Sequence, residues 1–149
     1  MGQTLESDYI YCKGFEACKS AIIVAEQVHL EGLYAANSAI ITAKQVASLG
    51  YGGGINAVFD TVSSTGVALD EMSLNFRGTG SGLNAIVNCR GAAKCTIMCN
   101  DYTGCKGVKI YVTPSSLPKL TLTPSECVNS VNWNTAIDGV LCPELISGF

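Results

Sequence analysis

One Gly-centred motif recurs along this chain at a near-fixed spacing, and that spacing leaves few folds open. The first copy is Cys12-Lys13-Gly14-Phe15-Glu16-Ala17-Cys18-Lys19-Ser20-Ala21-Ile22-Ile23. Eighteen residues later comes Leu30-Glu31-Gly32-Leu33-Tyr34-Ala35-Ala36-Asn37-Ser38-Ala39-Ile40-Ile41, and eighteen further on Ser48-Leu49-Gly50 through Ala57-Val58-Phe59. A fourth copy runs from Phe76 through Gly78 and Gly82 to Asn84-Ala85-Ile86-Val87. A period in this range marks stacked units, none of which buries its apolar face alone. Such a stack is a scaffold, and its function sits on an outer face or at an end.

Eighteen residues is also about five helical turns, so Ala21 to Val28 and Ala39 to Ala47 could pass for helix. Three features favour strands. Gly recurs at one slot (Gly14, Gly32, Gly50, Gly78), where a turn needs it. Aliphatic pairs rich in β-branched residues follow each turn: Ile22-Ile23, Ile40-Ile41, Val58-Phe59 and Ile86-Val87. The later copies tighten into Ile86-Val87-Asn88-Cys89 and Cys95-Thr96-Ile97-Met98-Cys99, too short for helices.

Two alternating strand series result. Series one is Tyr9–Cys12, Val28–Leu30, Val46–Ser48, Ser73–Phe76, Cys95–Cys99 and Leu120–Thr123. Series two is Ala21–Ala25, Ala39–Ala43, Ala57–Thr61, Ala85–Cys89 and Val108–Val112. The expected fold is all-β: a right-handed parallel β-solenoid (β-helix) with about 18-residue coils and a disulfide-closed C-terminal cap. The 149 residues fit one domain. Residues 1–8 are its N-terminal cap or tail, 9–113 the solenoid repeats, and 114–149 a C-terminal strand and cap with Trp133 over the last core layer. About ten extra residues at Val62–Glu71 make a loop or bulged strand.

Strand alternation assigns the faces. In series two, Ala21/Ile23/Ala25, Ala39/Ile41/Ala43, Ala57/Phe59/Thr61 and Ala85/Val87/Cys89 are small or apolar and point inward. The opposite set begins with Ile22, Ile40, Val58 and Ile86, which form an outward aliphatic ladder. Exposed contiguous apolar surface marks an interaction site. The competing reading is that the Val62–Glu71 insertion covers this face.

The eight cysteines fall into pairs. Six make three C-x5-C units, Cys12/Cys18, Cys89/Cys95 and Cys99/Cys105. Copies without Cys lack both members: Leu30/Ala36, Ser48/Gly54 and Phe76/Gly82 take the two slots. Losing both or neither is what a covalent pair predicts. Cys127 and Cys142 remain as a fourth pair, and an even, fully paired count points to an oxidising compartment. The alternative is eight small buried thiols.

The Ile86–Cys99 segment, Ile86-Val87-Asn88-Cys89-Arg90-Gly91-Ala92-Ala93-Lys94-Cys95-Thr96-Ile97-Met98-Cys99, resembles the Cys/Gly-rich β-solenoid repeats of large surface proteins in protists and algae. Those alternate C-x-G-x-x-[AS]-C-x-x-A-x-I segments with shorter I-x-C links. Gly32–Ile41 and Gly50–Phe59 match the Cys-free variant, and the resemblance covers about Tyr9 to Val112. It implies extracellular structural or adhesive roles and brings no catalytic residues.

Chemistry finds little support. The net charge is −3, from nine Lys plus Arg against twelve Asp plus Glu, and no basic patch points to nucleic acid. No apolar run approaches the ~20 residues of a membrane span. Glycoside cleavage needs two carboxylates at a defined separation, yet Asp60 stands alone on series two. His29 is the sole histidine, so Cys–His catalysis and zinc lack partners. Asn100-Asp101-Tyr102 holds too few oxygen ligands for a calcium site. No catalytic residue, metal or cofactor is expected.

The role expected from the sequence is a non-enzymatic building block of an extracellular or cell-surface filament, appendage or coat. It would assemble with itself or with related solenoid proteins through Ile22, Ile40, Val58 and Ile86. The runner-up is a carbohydrate-binding or adhesive module that holds surface glycans on Tyr9, Tyr11 and Tyr111. The third is a small polysaccharide-active β-helix enzyme.

Overall fold

The computed structural model describes residues 3–90, 93–100, 103–123, 127, 136–137 and 140–147. Trp133 and the Asp101-Tyr102 part of the Asn100-Asp101-Tyr102 segment lie outside them. The described chain is mostly β. One large sheet of parallel strands curls into a half-barrel around an apolar interior.

Strands β1 (Thr4–Lys13), β2 (Ile22–Glu31) and β3 (Ile40–Ser48) are long and lie side by side in parallel. Their register is set by the repeat. Ile23 pairs with Leu5 and Ile41, and Leu30 with Cys12 and Ser48, each partner eighteen positions away. In this part of the chain the two expected series are joined into single strands. Val24-Ala25-Glu26-Gln27-Val28 holds no Gly or Pro, so nothing interrupts the extended backbone between them. The bend falls at Asp8, Glu26 and Lys44, which drop out of the pairing on either side.

Beyond β3 the two halves separate. Ile40 and Ile41 pair with β4 (Val58–Asp60), whereas Gln45 to Ser48 pair with β5 (Glu71–Phe76). The series-two half continues through β6 (Ile86–Cys89), β8 (Lys109–Val112) and β12 (Glu144–Ser147). The other half continues through β7 (Lys94–Cys99) and β9 (Leu120–Thr123), the latter entered by a short 3-10 turn at Leu117–Lys119. Two short strands, β10 (Ala136–Ile137) and β11 (Val140–Leu141), form an antiparallel pair of their own.

Both ends of the described chain join the main sheet. The polar stretch expected as a cap or tail to residue 8 belongs to β1, whose Leu5 is half-buried against the core. In the C-terminal segment both β9 and β12 extend the main sheet, and β12 was not anticipated. Pro143 beside Cys142 hid its start, although Leu145 takes the inward position opposite Ile110.

The core is a set of columns, one residue per strand. Ile23, Ile41, Phe59, Val87 and Ile110 form one column, and Val28, Val46, Leu74, Ile97 and Leu122 another; all are buried. Burying an aliphatic or Phe side chain contributes about 1.5–3 kcal/mol, so each residue of these columns adds measurably to the favourable side of folding. Four disulfides staple the margins: Cys12–Cys18, Cys89–Cys95, Cys99–Cys105 and Cys127–Cys142.

The first four turns between the halves follow one backbone path. Alternate residues adopt left-handed conformations, at Glu16/Cys18/Ser20, Tyr34/Ala36/Ser38, Gly52/Gly54/Asn56 and Gly80/Gly82/Asn84. Successive turns hydrogen-bond to one another, as in Ala36 N to Ala17 O at 2.6 Å and Gly54 N to Ala35 O at 2.8 Å. Gly14, Gly32, Gly50 and Gly78 stack where those turns press closest. A Cβ on Gly32 would lie 2.6 Å from the Gly14 backbone nitrogen, and one on Gly50 would fall on Gly32.

Candidate functional site

The outer surface offers three side-chain groupings. The first is the aliphatic ladder. Ile22, Ile40, Val58 and Ile86 occupy one register position on adjacent strands, with Thr4 before them and Lys109 and Glu144 after. Ile40 is 45 % exposed and the other three are half-buried, each shielded by its neighbours above and below. The column is therefore apolar over four strands and polar at both ends.

One step along the same strands lie Val24, Thr42, Asp60, Asn88 and Tyr111. The Val62–Asp70 insertion runs beside this column rather than over the ladder. It closes on itself through an antiparallel bridge between Val62 and Ala68, and its Val67 and Leu69 share a depression with Val24 and Ala25. Thr42, outward by alternation, is buried here. Asp60, the lone strand carboxylate, is also buried and fully engaged. It receives the Val62 amide at 3.0 Å and Asn88 Nδ2 at 3.3 Å, and pairs with Arg90 at 3.0 Å. These bonds anchor the root of the insertion.

The second grouping sits on the other half of β1 and β2. Tyr11 stacks on His29 with ring centroids 4.6 Å apart, and Tyr9 lies 6.3 Å from Tyr11. The Tyr11 hydroxyl donates to Glu31, and His29 Nε2 lies 3.3 Å from the same carboxylate oxygen. Cross-strand register brings these residues together, with Tyr11 opposite His29 and Lys13 opposite Glu31. The Tyr11 hydrogen bond holds Glu31 below the usual carboxylate range, assisted by His29, and the same bond raises Tyr11 above the ordinary phenol value. Tyr9 and Tyr11 are thus a pair, whereas Tyr111 lies on the opposite half of the outer surface.

The third grouping was not read from the sequence. Phe15, Leu33 and Tyr51 occupy the position after the stacked glycine in three successive turns, and all three are exposed. Tyr34 fits between them, 6.3 Å from Phe15 and 6.4 Å from Tyr51. The signal was the eighteen-residue spacing of Phe15, Leu33 and Tyr51 itself. It was obscured because Tyr34 stands one place out of phase.

Among the described residues no three His, Cys, Asp or Glu side chains gather closely enough to hold a metal ion. No helix among them is long and apolar enough to cross a membrane. No family model, curated protein or solved structure matches this chain. The four disulfides fit an oxidising, extracellular-type environment, because reducing compartments keep such thiols free.

Proposed function

We propose that the protein is a non-enzymatic building block of an extracellular filament, appendage or coat, folded as a right-handed β-solenoid and assembled through its aliphatic ladder. The observation that carries this reading is the in-register column Ile22–Ile40–Val58–Ile86, half-exposed and bounded by polar residues. A continuous apolar strip on a sheet face is the kind of surface that a second copy, or a related solenoid, buries. The eighteen-residue register of the first three series-two pairings supports a coil of about that length, and the offset grows once the insertion enters between β4 and β6. The resemblance of the repeat to protist and algal surface solenoids points the same way.

Sedimentation velocity over a concentration series tests the assembly. Ile40→Lys with Val58→Lys is expected to leave a folded monomer, with unchanged circular dichroism and no concentration-dependent growth. Assembly equal to that of the unaltered protein would overturn the reading.

A second reading has its own observation. Tyr9 and Tyr11 are exposed and paired, and Tyr11 is oriented by Glu31 and His29, as a carbohydrate-binding surface requires of its aromatic residues. On that reading the module adheres to surface glycans.

A further inference from the structure

We infer that the outer face of the series-one strands is a groove for a neutral, β-linked glycan chain lying along the stack, across the strands. The inference rests on the second reading and assigns it a place and a ligand class. Two columns define the groove. Tyr9, Gln27, Gln45, Ser73 and Thr96 occupy one register position on β1, β2, β3, β5 and β7; Tyr11, His29, Ala47, Asn75 and Met98 occupy the next outward one. Between them runs a shallow trough of about 230 Å³ whose polar lining is Tyr9, Gln27, His29, Gln45, Ser73 and Asn75. Its floor is the strand backbone at Val28 and Val46, whose side chains point inward, together with the small Ala47.

The lining selects the ligand class. No Asp, Glu, Lys or Arg faces the trough, so nothing there compensates a phosphate, sulfate or uronate. The planar amides of Gln27, Gln45 and Asn75 each present donors and an acceptor, the combination that neighbouring sugar hydroxyls satisfy. The Gln27, Gln45 and Ser73 side chains make no hydrogen bond to another described residue, and Asn75 accepts one from Asn100 at 2.6 Å. These groups are therefore available to a ligand.

Spacing adds the direction. Parallel strands stand about 4.8 Å apart, so successive polar groups along a column repeat at nearly the length of one pyranose in an extended chain. Five strands span roughly 19 Å, enough for about four sugars. At the β1 end the Tyr11 ring is held by its bond to Glu31 and its stack on His29, a preorganised platform for the C–H face of a sugar.

The test is isothermal calorimetry of the intact, oxidised protein against cellohexaose, xylohexaose, chitohexaose and, as the anionic comparison, hexaguluronate. At least one neutral hexasaccharide is expected to bind. Tyr9→Ala with Gln45→Ala should weaken that binding by about tenfold or more, a change of 1.4 kcal/mol, while Tyr111→Ala leaves it unchanged. Neutral binding indifferent to Tyr9→Ala with Gln45→Ala, or a preference for hexaguluronate, would remove the groove while leaving glycan adhesion intact. Failure of all four probes to bind would overturn the groove and the second reading together.

Discussion

The first two turns of the stack and the next two follow the same backbone path with different residues. In the turns at Gly14–Ser20 and Gly32–Ser38, the left-handed positions carry Glu16, Cys18 and Ser20, then Tyr34, Ala36 and Ser38. At Gly50–Asn56 and Gly78–Asn84, they carry Gly52, Gly54 and Asn56, then Gly80, Gly82 and Asn84. Glycine and asparagine adopt this conformation at little cost, whereas other residues lose about 1–2 kcal/mol each. The later turns are locally suited to the path. The earlier ones are held to it by the hydrogen bonds between turns and, in the first, by Cys12–Cys18.

The same comparison explains how one slot accepts different side chains. Cys18 bonds to Cys12, and Ala36 takes the equivalent position beside Leu30. Gly54 and Gly82 leave room for aromatic rings: a Cβ on Gly54 would lie 3.2 Å from Phe59 Cζ, and one on Gly82 2.8 Å from Phe76 Cδ1. Phe59 and Phe76 meet edge to face, 5.5 Å apart, in the space so left. A covalent bond, a Leu beside an Ala, and a ring above a Gly are three solutions to filling the same volume.

Substitutions can break this comparison in descending order of effect. Gly50→Ala should be the most damaging, because its Cβ would meet the Gly32 backbone, which cannot yield without shifting the stack. A loss of about 3 kcal/mol in chemical denaturation is expected; a loss below a third of that would mean the turns are not packed as tightly as described. Removing the first disulfide with Cys12→Ser and Cys18→Ser should cost about 2–3 kcal/mol, since the bond closes a short loop in the unfolded chain and holds two strained turn positions. A neutral result would show that hydrogen bonding between turns alone maintains the path. Ser38→Asn, at an exposed left-handed position filled by Asn in the next two turns, should stabilise by about 0.5–1 kcal/mol. Destabilisation there would indicate that the Ser38 hydroxyl, which donates to Asn37 at 3.0 Å, outweighs backbone strain.

Several elements were legible because local chemistry and the repeat agree. The inward set Ile23, Ile41, Phe59 and Val87 followed from alternation, and the stacked glycines from their spacing. The ladder residues Ile22, Ile40 and Val58 fall into one column because a parallel register eighteen residues apart is implicit in the motif, and Ile86 joins them because the motif itself resumes after the insertion. The joined strands were not legible. The two series leave Glu26-Gln27 and Lys44-Gln45 between them, but β2 and β3 run on through these polar residues side by side. Strand β12 was missed because its partners are distant in sequence and its start is masked by Pro143. The Tyr11–His29–Glu31 cluster draws on two strands, so no local pattern announced it.

The sequence by itself determined the periodicity, the disulfide pairing slots, the inward face and the need for glycine in the turns, because each follows from spacing and from the size of single residues. The tertiary structure decided where the insertion lies, which outward residues it leaves exposed, and which side chains from different strands come to share a surface. These depend on how the sheet curls after β3. A one-dimensional repeat fixes the step from one strand to the next, but the bend that brings Val67 beside Val24 and aligns Tyr9 with Gln45 and Ser73 exists only once the strands are packed together.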